Sequence, residues 1–150
     1  MSNTAAMGGR SLAQTLTIVF AIAFLGVGIL GFIPGITTNY DELEFAGSDS
    51  GAELLGIFQV SVLHNVVHLL FGIGGLALAR TWDGARMFLL GAGVIYVVLF
   101  LYGILVGAGD DANFVPINNA GDWLHLVLGI GLLGSWYVSG RERSPAMAAT

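Results

Sequence analysis

Four stretches of this chain carry no Asp, Glu, Lys or Arg: Ser11 to Asn39, Leu54 to Ala79, Met87 to Gly109, and Trp123 to Gly140. A bilayer core of about 30 Å needs roughly 20 apolar residues of helix, and each stretch approximates that length. With 55% of residues apolar and 10% charged, the chain lies far from soluble globular usage. The pattern predicts an all-α membrane protein, a single four-transmembrane-helix bundle. Its spans fall at about 12–33, 61–79, 87–108 and 122–139, with flexible tails at 1–10 and 144–150.

The first span is read as retained and not as a cleaved signal segment. Leu12 to Ile33 is too long for a signal core, and no small-x-small pattern follows. Phe32-Ile33-Pro34-Gly35 reads as a helix stop, because proline cannot donate to the ladder. Span two is expected to start at Ser61 as a cap. Leu54 to Val60 would then lie along the membrane interface.

Arg10, Arg80, Arg86, Arg141 and Arg143 are all the basic residues, and they fall at the two ends and between spans two and three. The positive-inside rule makes both termini cytoplasmic in a multi-pass protein of the cell (inner or plasma) membrane. Trp82, Trp123, Trp136, Tyr137 and Tyr40 lie near span ends, where aromatic belts form. Arg80 and Arg86 read as loop anchors. The chain has no cysteine, which removes disulfides, thiolate sites and covalent haem attachment. An acidic balance argues against nucleic acid.

Two strings within the apolar stretches nearly repeat. Asn65-x-x-His68-Leu-x-x-Gly72-Ile-Gly74 matches Asp122-x-x-His125-Leu-x-x-Gly129-Ile-Gly131 at a constant offset. The chain therefore reads as a tandem duplication of a two-helix unit, with the pseudo-symmetry axis along the membrane normal. In the odd spans the match is weaker, Gly28-Ile-Leu against Gly103-Ile-Leu. Gly72, Gly75, Gly129 and Gly131 read as helix-packing glycines, since small residues let membrane helices approach. His64 lies one turn above His68 on the same face. Tyr96 and Tyr102 each need a hydroxyl partner, and both could serve the histidines.

Gly31-Phe-Ile-Pro-Gly35, Leu63-His64-Asn65-x-x-His68 and Asp122-Trp123-Leu124-His125 together resemble a bacterial family of four-helix membrane proteins catalogued only as a domain of unknown function. The likeness runs from about Leu12 to Val138. It implies fold and location, and it carries no activity, cofactor or catalytic residue.

An ionisable group inside a membrane helix is costly unless paired, which makes His64, Asn65, His68, Asp122 and His125 the site candidates. The leading reading is an interhelical polar cluster with Asp122 capping span four. The chain is then a structural or accessory component, homo-oligomeric or part of a larger membrane complex, and not an enzyme. One alternative is a haem b held by His68 and His125, with Gly72 and Gly129 leaving room for the macrocycle. Another is a divalent metal on His64, His68 and His125 with Asp122 behind them. A third is a quinone or lipid-soluble ligand docked against His68 and His125. No nucleophile-base set or phosphate loop accompanies them, and no charge interrupts the middle of any span.

Overall fold

The computed structural model describes residues 9–107 and 110–141. Four helices make up most of it: α1 (Leu12–Leu30), α2 (Val62–Leu78), α3 (Trp82–Val106) and α4 (Asn119–Ser139). Two of them, α1 and α3, are long and apolar enough to cross a membrane. Most of each expected tail, 1–8 and 144–150, lies outside the described residues, as does residue 108 at the expected end of span three.

Each helix starts where a side-chain oxygen can take an orphan backbone N–H. Ser11 and Gln14 form a reciprocal capping box on α1. Ser61 Oγ accepts from His64 N at 3.1 Å and Asn118 Oδ1 from Gly121 N at 3.0 Å, opening α2 and α4. Thr81 does the same for Gly84 N, so α3 begins at Trp82, earlier than the charge pattern suggests. The expectation that Asp122 caps the last helix is corrected: Asn118 is the cap, and Asp122 lies inside the first turn, buried. A short polar side chain just outside the helix, as at Asn118, reaches the N–H two to three residues on; Asp122, already a turn into the helix, points its carboxyl at Gly103 instead.

The helices pack as two pairs, α1 on α2 and α3 on α4, and the α1–α4 and α2–α3 seams are sparse by comparison. A diagonal contact between α1 and α3 joins the pairs. Its core is Phe24, Phe88, Leu89, Ala92, Tyr96 and Leu132. Large apolar side chains stand exposed on all four helices, among them Ile22, Leu70, Val98 and Val127.

One end of the bundle is covered by the long α1–α2 connection. There β1 (Thr37–Thr38), β2 (Glu53–Leu54) and β3 (Phe58–Gln59) form an antiparallel sheet in the order β1-β2-β3. Leu54 to Val60 thus forms a tight hairpin. Its turn places Leu55 and Gly56 at positive φ. Ala52, Leu54 and Val60 are buried against Val27, Leu30 and Phe58. Asn118 Nδ2 donates to Ile57 O at 2.7 Å, which ties the hairpin to the start of α4.

Candidate functional site

Beneath this cap the three histidines come together. The His64 ring lies 4.4 Å from that of His68 and 6.3 Å from that of His125, centroid to centroid. The i, i+4 spacing of His64 and His68 stacks them on one face of α2, and α4 brings in His125 from across the bundle. His68 Nδ1 is 3.0 Å from His64 O, one helical turn back, and Tyr96 Oη is 3.2 Å from His68 Nε2. Nδ1–H donating to the carbonyl leaves Nε2 to accept the Tyr96 hydroxyl hydrogen.

The aromatic surroundings are ordered in pairs. Phe24 meets His68 edge-on at 6.0 Å, and Tyr96 meets His125 edge-on at 5.2 Å. Phe24 and Tyr96 stack on one another at 5.3 Å in the middle of the bundle. Edge-on aromatic contacts place a ring's positive rim on its neighbour's negative face.

The expected polar cluster does not form as a hydrogen-bonded unit. Both side-chain polar atoms of Asn65, Oδ1 of Asp122, and Nδ1 of His64 and His125 are buried without a hydrogen-bond partner. Asn65 instead lies on Gly31 and Asp122 on Gly103, where an added Cβ would collide with the amide or the carboxylate. Buried polar atoms left unpaired are costly, and they mark a place where something else can bind.

Two cavities flank the histidines. One, of about 290 Å³, lies between α1 and α4 under the hairpin, with Phe24, Val27, Phe58, Gln59 and Leu124 in its walls. The other, of about 320 Å³, lies between α2 and α3, lined in part by Val67, Tyr96 and Leu99. His64, His68 and His125 contribute to both linings, so the imidazoles form a partition. Walls that are apolar except for a few polar groups, here the imidazoles with Gln59 in one cavity and Ser61 and Tyr96 in the other, are the usual make-up of a small-molecule site, near the lower end of the usual size range.

Haem b between His68 and His125 does not fit these residues. Both imidazoles abut the Tyr96 ring, and the nitrogen His68 would offer to iron is already bonded to Tyr96 Oη. Gly72 and Gly129 leave no slot for a macrocycle. The first is closed by Leu25 and Ala21, the second by Val97. Among the described residues, no group of three His, Cys, Asp or Glu side chains is arranged to hold a metal ion. His68 has both ring nitrogens engaged, and Asp122 has turned to Gly103.

The packing glycines divide. A Cβ at Gly72, Gly75 or Gly129 would press on a neighbouring helix within 3 Å, whereas one at Gly131 would only touch Phe20 at 3.4 Å. Gly131 is therefore not a point of close approach. Of the two tyrosines, only Tyr96 reaches the histidines. Tyr102 Oη donates to Ala112 O and accepts from Phe114 N. Arg86 does more than anchor a loop: it lies 5.0 Å from the rings of both Trp82 and Trp136 and donates to Trp136 O at 2.7 Å. Phe24, Phe58 and Gln59 entered the site without a signal in the sequence, since their place depends on the gap between helices.

The model of a family described as Domain of unknown function (DUF4383) matches residues 14–138 of the chain. No curated protein and no solved structure matches it.

Proposed function

We propose a role for a chain that belongs to the DUF4383 family: a four-span protein of the cell membrane that holds a lipid-soluble ligand with a carbonyl head, of the quinone class, beside its histidines. The observation that carries this reading is the cavity of about 290 Å³ between α1 and α4, whose walls are almost wholly apolar and include His125, a ring with a buried, unpaired Nδ1. An imidazole N–H can donate to a ligand carbonyl, and the apolar walls suit its ring and tail.

Four spans are supported by the apolar side chains that α2 and α4 leave exposed, such as Leu70, Ile73, Val127 and Ile130. A soluble bundle would turn these inward. Arg80, Arg86 and Arg141 gather at the end of the bundle opposite the sheet, in keeping with cytoplasmic termini.

Descent from a duplicated helix pair is supported by contacts that recur at fixed offsets. A shift of 57 residues carries Ser61, Asn65, His68 and Gly72 onto Asn118, Asp122, His125 and Gly129. In α1 and α3 the matching shift is 72, carrying Ala21, Phe24, Leu25 and Gly31 onto Gly93, Tyr96, Val97 and Gly103. Under these shifts Asn65 on Gly31 becomes Asp122 on Gly103, and Phe24 on His68 becomes Tyr96 on His125. The register inferred from letters alone, Gly28 with Gly103, is one helical turn away from the one these contacts support.

Decylubiquinone titrated into the protein in lipid nanodiscs, followed by calorimetry, tests the ligand reading. Saturable binding is expected, weakened at least tenfold by His125→Leu. Heats that never saturate and do not differ between the two proteins would refute it. A second reading, in which the histidines only lock the helices, is favoured by the Tyr96–His68 hydrogen bond. It predicts a large stability loss in His125→Leu and no binding in either protein.

A further inference from the structure

We infer that the chain carries a second binding site for the same class of ligand, in the cavity between α2 and α3, so that two carbonyl-bearing lipid-soluble molecules sit back to back across the histidine partition. This rests on the ligand reading above and extends it. The α2–α3 cavity repeats much of the helical wall of the α1–α4 cavity. Ala23, Phe24 and Val27 line the first. The shift of 72 that relates α1 to α3 carries them onto Ile95, Tyr96 and Leu99, which line the second. On the even helices, Leu124, His125 and Leu128 of the first cavity correspond by the shift of 57 to Val67, His68 and Phe71 of the second. Two unrelated packing defects would have no reason to share such a correspondence.

The two chambers differ in the polar groups they present. The position of Gly121 in the first is taken by His64 in the second, and that of Phe24 by Tyr96. His125 keeps a buried Nδ1 unpaired, while its counterpart His68 is already bonded to Tyr96 Oη and His64 O. His64 borders the second chamber as well as the first, and its buried Nδ1 also lacks a partner. Two imidazoles with an unpaired nitrogen, from opposite helices, thus stand in the partition between the chambers, and a carbonyl acceptor reached by a small turn of either ring satisfies it.

Calorimetry of decylubiquinone on the full chain in nanodiscs reads the stoichiometry. Two equivalents per chain are expected. Ile95→Trp, at an exposed seam position, should remove one equivalent, and Ala23→Trp the other. Leu99→Phe and Val27→Phe repeat the pair one turn along, should either tryptophan variant fail to fold. A single equivalent that Ala23→Trp abolishes and Ile95→Trp leaves intact would overturn the second site while leaving the first reading standing. No saturable binding to the unmodified chain would overturn both.

Discussion

The pair α1–α2 and the pair α3–α4 meet through the same contacts made by different residues. At one end, Gln14 Nε2 donates to Ala79 O at 3.0 Å in the first pair, and Arg86 donates to Trp136 O in the second. Near the other end an amide lies on Gly31 and a carboxylate on Gly103. In the middle Phe24 faces His68 and Tyr96 faces His125. What is held constant is backbone approach, which needs glycine wherever a neighbouring helix leaves no room for Cβ. What varies is chemistry: the first pair is neutral at these positions, while the second carries a guanidinium, a carboxyl and a phenol. Shared geometry with divergent polar groups is the arrangement in which two like-shaped chambers acquire different preferences.

Exchanging the polar heads should break the comparison most sharply. Asn65→Asp puts an ionisable group into a buried place with no hydrogen-bond partner. An acid within a membrane helix costs about 2.5 kcal/mol at the helix centre, so a loss of roughly 2 kcal/mol is expected near the end of α2. The reciprocal Asp122→Asn makes the pairs alike and should raise stability by about 1 kcal/mol. Unfolding titrations in mixed micelles read both. Equal effects of the two substitutions would mean that the pairs do not differ electrostatically.

Glycine tests come next. An alanine Cβ at Gly72 meets the Ala21 carbonyl oxygen at 2.9 Å, which is backbone and cannot yield. At Gly129 the nearest obstacle is Val97 Cγ2 at 2.9 Å, a methyl, with backbone further off at 3.2 Å (Val97 N) and 3.4 Å (the Gly93 carbonyl). Overpacking costs about 1–3 kcal/mol, and alanine regains roughly 1 kcal/mol of helix propensity. Gly72→Ala is therefore expected to lose about 2 kcal/mol net and Gly129→Ala about 0–1 kcal/mol. The same titration decides, and a larger loss at Gly129 would reverse the ranking of the two interfaces.

How much of this was legible beforehand depends on what each feature rests upon. The four helices follow from long uncharged stretches, a property of the chain itself. The α2 and α4 strings were readable because their histidines, with Gly72 and Gly129, face neighbouring helices at matching positions. Gly28-Ile-Leu and Gly103-Ile-Leu share letters at exposed positions, Ile29 and Ile104, whereas the contacts pair Gly31 with Gly103, a relation that letters alone do not reveal. The small sheet left no trace, since two-residue strands are too short for alternation to show. The cavities could not be seen either: they are gaps between helix pairs, set by distances that no single residue encodes.

The smallest effect separates the chambers most cleanly. Tyr96→Phe removes one hydroxyl, leaves the ring and its stacking on Phe24 in place, and makes the two odd helices alike at this position. Interhelical hydrogen bonds in membranes contribute about 0.6 kcal/mol on average, so stability should fall by roughly that amount. Its consequence for binding is larger and has a direction. His68 Nε2 loses its hydroxyl partner, and the space left by that hydroxyl adjoins the α2–α3 chamber that Tyr96 lines, where a carbonyl cannot satisfy the acceptor but a quinol hydroxyl can. The variant should therefore favour decylubiquinol over decylubiquinone in that chamber, with the α1–α4 chamber unchanged. Calorimetry with each redox form, on Tyr96→Phe combined with Ala23→Trp, reads the α2–α3 chamber alone. An unchanged ratio of the two affinities would show that the Tyr96 hydroxyl holds helices and has no part in choosing the ligand.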